Sequence, residues 1–162
     1  MDKHTPASVW QNPKHFLAFG FGAGAFPVMP GTMGTLVGIL FFISLEQANL
    51  WSYLAITAFL FLIGIWLCGS TARDVKVHDH SGIVFDEIVG YLIAMIGMPV
   101  SWPWIFAGFI AFRIFDIFKP WPIKWLDQYV KGGFGIMLDD LVAGLYALIV
   151  LQFIAWTFFN YD

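Results

Sequence analysis

Gly82-Ile-Val-Phe-Asp86-Glu87-Ile-Val-Gly90 and Gly135-Ile-Met-Leu-Asp139-Asp140-Leu-Val-Ala143 repeat one pattern: a glycine, a short apolar run, two adjacent carboxylates, and then a long apolar stretch. The copies agree at four of nine positions, Gly, Ile, Asp and Val. If the apolar stretches are helices, both acid pairs stand at helix N-termini, where the positive end of the macrodipole favours negative charge. Four carboxylates at one level of a helical bundle suggest a metal site. Two origins of the similarity stay open: a duplicated helical hairpin, or two independent helix starts enriched in acids by dipole preference.

The composition decides what surrounds these acids. The 162-residue chain is 59% hydrophobic and 12% charged, with a mean hydropathy of +0.76. Ordinary globular chains are about 45–50% apolar and ~25% charged, so the deviation points to an integral membrane protein forming one domain over residues 1–162. A formal net charge of -3 argues against a nucleic-acid partner. The single cysteine, Cys68, excludes an intrachain disulfide framework. Residues 1–15 carry Lys3, His4, Lys14 and His15 and read as a polar cytoplasmic tail or surface helix. A polar start without a small-residue cleavage pattern argues against a cleavable signal peptide.

Apolar runs at 34–45, 50–69, 84–99, 103–118 and 141–159 predict an all-α, polytopic membrane bundle of about five spans. Several runs are shorter than the ~20 residues of a full span. Ahead of the first lies Gly20-Phe-Gly22-Ala-Gly24-Ala-Phe-Pro27-Val-Met-Pro30-Gly31-Thr32-Met-Gly34-Thr35, too rich in glycine and proline to be helical throughout. Such backbone beside a bilayer must be buried in protein or line a wet cavity. In the five-span arrangement all eight basic residues, Lys3, Lys14, Arg73, Lys76, Arg113, Lys119, Lys124 and Lys131, fall on one side. The positive-inside rule makes that side cytoplasmic, and both acid pairs share it. Trp51, Trp102, Trp104 and Trp156 then fall near one interface, and Trp121 and Trp125 near the other, as an aromatic belt predicts.

Acids within or beside a membrane are expensive and mark function, and helix capping accounts for one acid pair more easily than for two. Hard carboxylate oxygens from Asp86, Glu87, Asp139 and Asp140, with no thiolate partner, select Mg²⁺. In Arg113-Ile-Phe-Asp116-Ile-Phe-Lys119-Pro120-Trp121-Pro122, spacings of three place Arg113, Asp116 and Lys119 on one helical stripe that the prolines terminate. Arginine as a fork donor and lysine as a point charge suit a phosphate. The alternative is snorkelling with an internal Arg113–Asp116 pair. Thr32 and Thr35 either cap the first long helix or contact phosphate, and His78, Asp79 and His80 either supply a base or ligand or form a solvated loop.

Several motif-defined chemistries are excluded. Cys68 and Arg73 are separated by one residue too few for a cysteine-phosphatase loop, and no Gly-x-Ser-x-Gly elbow or Asp-x-Asp pair occurs.

Taken together and in order, Pro30-Gly31-Thr32-Met33-Gly34, His78-Asp79-His80, Asp86-Glu87-Ile-Val-Gly90, Phe112-Arg113-Ile-Phe-Asp116-Ile-Phe-Lys119-Pro120-Trp121-Pro122-Ile123 and Gly132-Gly133-Phe-Gly135-Ile136-Met137-Leu-Asp139-Asp140 resemble the phosphatidylglycerophosphatase A family of bacterial inner-membrane lipid phosphatases. The resemblance implies Mg²⁺-dependent removal of the terminal phosphate from phosphatidylglycerophosphate at the cytoplasmic leaflet. The expected site comprises Asp86, Asp116, Asp139, Arg113 and Lys119 for catalysis, Thr32, His78, Arg113 and Lys119 for substrate, and Asp86, Glu87, Asp139 and Asp140 for metal. Direct attack by water and a phosphoaspartyl intermediate both remain open. The competing classes are a metal-dependent membrane phosphotransferase and a carboxylate-lined cation transporter. Against transport, the outer halves of the spans offer only scattered polar groups such as Thr57 and Gln152.

Overall fold

Asparagines and prolines set the starts of most helices. The structure, a computed structural model, describes residues 5–77 and 80–159. Among them are seven α-helices and no strand: α1 (Pro13–Ala18), α2 (Pro30–Ser44), α3 (Leu50–Asp74), α4 (Phe85–Ala94), α5 (Trp102–Phe118), α6 (Ile123–Tyr129) and α7 (Gly132–Phe159). Asn12 and Asn49 cap α1 and α3 by accepting from the amides of Lys14 and Ser52. Proline occupies the first turn of α1, α2 and α5, where no amide is needed.

A helix of only ten residues, α4, is the centre of the molecule. Every residue of α4 except Asp86 and Glu87 is buried, and α2, α3, α5 and α7 all pack on it. Its closest neighbour is α7, because glycines lie at the crossing: a Cβ on Gly90 would stand 2.9 Å from the Asp140 carbonyl, and one on Gly144 would strike the Gly90 carbonyl. Small residues of this kind let helix backbones meet. The Tyr53 hydroxyl donates to the Leu92 carbonyl at 2.6 Å, satisfying an acceptor that the early end of α4 leaves open.

The surrounding helices turn apolar side chains outward. Leu40 on α2, Phe59 and Leu62 on α3, Phe106 on α5, and Ile149 and Phe153 on α7 are all exposed. Trp51, Trp102, Trp121 and Trp156 are exposed as well. An apolar exterior this extensive on several helices is unlike that of a soluble monomer. By length and composition α3 and α7 are each able to cross a membrane. At ~1.5 Å per residue α4 reaches only about 15 Å, roughly half a hydrocarbon core.

Several boundaries differ from the sequence reading. α7 begins at Gly132, nine residues before the apolar run at 141, and α3 continues past 69 to Asp74. Both extensions are glycine-linked: a Cβ on Gly69 would meet Gly133 at 2.9 Å, so these glycines let α3 and α7 touch instead of breaking them. The expectation that both acid pairs stand at helix N-termini therefore holds for α4 alone, and the two hairpins are not equivalent. α4 ends at Ala94, not 99. Thr32 and Thr35 do not cap α2; its N-cap is Met29, at φ 53, with no side-chain cap, and the Thr35 hydroxyl donates back to the Gly31 carbonyl. Of the tail and surface-helix readings of the first fifteen residues, the described part, 5–15, fits the helix, with α1 starting at Pro13 and packed on the bundle. Val9 and His15 are buried, and His15 bridges the Ser8 hydroxyl and Asp74, each at 3.0 Å.

Candidate active site

The crossing of α4 and α7 brings the two acid pairs to one cavity of about 690 Å³. Asp86, Glu87, Asp139 and Asp140 line it together with Arg113, Asp116 and Lys119, so all the expected acids and both expected cations meet there. Thr32 lies just outside, one residue past the lining Gly31. His78 and Asp79 lie outside the described residues. His80 is not part of the lining; its Nδ1 accepts from the Gly82 amide, and its ring packs on Phe19, which shapes the entry into α4.

Within the cavity the acids divide into two groups. Ligand oxygens of Asp86, Glu87 and Asp140 lie within 4.8 Å of one another. Asp86 Oδ1 and Glu87 Oε2 are buried without a hydrogen-bond partner among the described residues. Orphaned buried carboxylate oxygens are costly, and two of them beside a third acid fit a hard divalent cation. Asp139 is placed otherwise: its Oδ2 accepts from Lys119 Nζ at 2.7 Å, while its Oδ1 has no partner among the described residues.

The cations are held by their own acids. Arg113 Nη1 donates to Asp116 Oδ2 in an i,i+3 ion pair, so the spacing read from the sequence is used within the helix. Lys119 stands just past the last residue of α5, at φ 42, where the negative end of the helix favours it. Its ammonium lies between Asp139 and Asp127, the latter at 3.0 Å. Burial alone lowers the lysine pKa, but the charge and hydrogen bond of Asp139, supported by Asp127, more than reverse this and hold it above the ordinary value.

Two contributions escaped sequence reasoning. Asp127, Gln128 and Lys131 line the cavity from α6 and the turn after it, and no spacing links them to the motifs around 86 and 139. Gly31 is the second. A Cβ there would stand 3.1 Å from Arg113 Nη1 and would strike the Glu87 carboxylate. A side chain there would push both groups aside, so glycine lets the first turn of α2 close over them as they stand. The glycine-rich stretch had suggested a lining role without saying which glycine provides it.

Clustered carboxylates beside an arginine and a lysine in one cavity of a helical bundle make up the donor set of a phosphoryl-group enzyme. The profile of the family described as Phosphatidylglycerophosphatase A matches residues 16–155, and the chain belongs to that family. Phosphatidylglycerophosphatase A of Escherichia coli (strain K12) is 46% identical over 144 residues, 88% of this chain and 84% of the relative. Its namesake in Haemophilus influenzae (strain Rd) is 49% identical over 142 residues, 86% and 87% of the two chains. A Bacteroides thetaiotaomicron protein provisionally named a phosphatidylinositol-3-phosphatase is 36% identical over 145 residues, 85% and 90%. No solved structure matches the chain significantly.

Proposed function

We propose that this protein is a multi-pass inner-membrane phosphatase that hydrolyses the terminal phosphate of phosphatidylglycerophosphate, giving phosphatidylglycerol and inorganic phosphate. The observation that carries the reading is the meeting of the acid triad, Arg113 and Lys119 in one cavity of a chain belonging to this family. In this reading α2, α3, α4, α5 and α7 cross the bilayer. The short α4 is tolerated because its neighbours, not lipid, cover it and the turn that follows, including buried Met95 and Met98. The basic connections and the cavity then face the cytoplasm.

Asp86, Glu87 and Asp140 would hold Mg²⁺, which when bound supplies Lewis acidity toward phosphoryl oxygens. Arg113, fixed by Asp116, offers its remaining N–H groups to the phosphoryl group, and its buried Nε has no partner among the described residues. Lys119 neutralises charge that develops on the transferring group, held on target by Asp139 and Asp127. The N-terminal turn of α2, at Met29–Gly31 on the cavity wall, adds the positive end of a helix.

The test is phosphate release from phosphatidylglycerophosphate by the purified protein in detergent, with and without Mg²⁺, beside soluble glycerol phosphate and phosphatidic acid. Magnesium-dependent release confined to the first lipid is expected. Silence on all three from folded protein overturns the reading.

A further inference from the structure

A second cavity, of about 540 Å³, lies between α2 and α5, and its lining is apolar throughout: Met33, Leu36 and Leu40 from one helix, Trp102, Phe106 and Phe109 from the other, with a few smaller neighbours. It lies beside the catalytic cavity along the same two helices, although the two share no lining residue. Gly31 and Arg113 line the polar site, and Met33 and Phe109, within about one turn of them, line the groove. The two helices run in opposite directions and touch only lightly, in contrast to α3 and α7, whose glycines bring the backbones together. The groove is open on its outer side, where Leu36, Leu40 and Phe106 are exposed.

We propose that this groove is the seat of one acyl chain of the lipid substrate. The inference rests on the phosphatase reading, since it requires a substrate whose phosphate and hydrocarbon chain enter the protein together. With the phosphate at Arg113, a chain leaving the headgroup away from the water-facing end meets the gap between α2 and α5, which touch only lightly. From Met33 to Leu40 the groove is about 10 Å long, at ~1.5 Å per helical residue, enough to take the proximal part of a chain while the rest stays in the bilayer. The lipid then enters sideways, between α2 and α5. Specificity then rests on the proximal acyl segment as well as on the headgroup.

The direct test uses the unmutated protein and phosphatidylglycerophosphate carrying a diazirine partway along one acyl chain. After photolysis, mass spectrometry is expected to find adducts concentrated on Leu36, Leu40, Phe106 and Phe109, and to lose them when unlabelled substrate is in excess. Equal labelling of Phe59, Leu62 and Phe153 on other outward faces, with turnover intact, would mean that the chain lies in bulk lipid and would overturn the groove alone. Absence of turnover by the unmutated protein overturns the phosphatase reading and the groove with it. A kinetic test is independent of labelling. Leu36→Trp fills the groove and is expected to raise KM for a long-chain substrate about tenfold, against less than about twofold for a diacetyl substrate, whose chains end before Leu36. An equal rise for both substrates would count against chain recognition.

Discussion

Asp86 and Glu87 occupy the first turn of a ten-residue helix, whereas Asp139 and Asp140 lie two turns inside a helix of 28 residues. The same acid-acid sequence thus meets different electrostatics at its two places. The first pair has the helix N-terminus in its favour, and the dipole effect fades beyond the first turn, so the second pair has no such support. Asp139 and Asp140 are nevertheless the more buried, at 7% and 3% exposure. Burying two carboxylates in a helix interior is justified only by partners, and they have different ones: Asp140 joins the first pair, and Asp139 holds Lys119. The lesson is that a repeated motif need not mean repeated roles. Three acids converge on one point, and the fourth serves the cation opposite.

This asymmetry is open to attack by mutation, beginning with the largest effect. Asp86→Asn and Asp140→Asn are each expected to lower kcat for phosphate release by about a thousandfold and to weaken Mg²⁺ dependence, with folding intact. If Asp140→Asn behaved as mildly as a change at Asp139, the three-plus-one division would be broken.

Lys119→Met should lower kcat/KM about a hundredfold, through loss of a cation in the transition state. Asp139→Asn should cost about tenfold and leave Mg²⁺ dependence in place. The double variant should cost little more than Lys119→Met, because the two residues act as a unit. The sign of the pH effect is fixed as well. Asp139 raises the Lys119 pKa against burial, so its removal lets the ammonium lose its proton at lower pH. The alkaline fall in activity should therefore move to lower pH in Asp139→Asn, and an unchanged profile would separate Asp139 from Lys119.

Gly90→Ala tests the crossing itself. The added methyl would stand 2.7 Å from the Phe112 ring and 2.9 Å from the Asp140 carbonyl, forcing α4 and α7 apart at a cost of about 1–3 kcal/mol. A lowered Tm accompanied by a fall in kcat of about tenfold is expected. Loss of stability with full activity would show that the triad does not depend on this contact. The smallest effect belongs to Asp127→Asn, which leaves Asp139 on Lys119 and should alter KM by no more than about threefold.

Much of the site was legible because chemistry declares itself in an apolar chain. With charged residues so few, Arg113, Asp116 and Lys119 at spacings of three could be read as a stripe, and Asp86, Glu87, Asp139 and Asp140 as a cluster. Boundaries were less legible for one reason. Gly69, Gly132, Gly133 and Gly135 weigh against helix when propensity is considered alone, yet three of them sit where a side chain would collide with a neighbouring backbone: Gly69 and Gly133 between α3 and α7, and Gly135 against Val130. Packing overrode propensity and extended α7 back to Gly132, which moved the second acid pair from a helix start into its interior.

The sequence by itself determined the apolar, helical character of the chain, the residues available for phosphate chemistry, and the hard-oxygen preference of any metal they hold, since these follow from side-chain types and local periodicity. Only the tertiary structure decided which acids share a centre, that Asp127 and Lys131 join the cavity, and that Gly31 closes over Glu87 and Arg113. Those outcomes depend on how closely helix backbones approach and in what register they cross, and both are set by contacts between residues far apart in the chain.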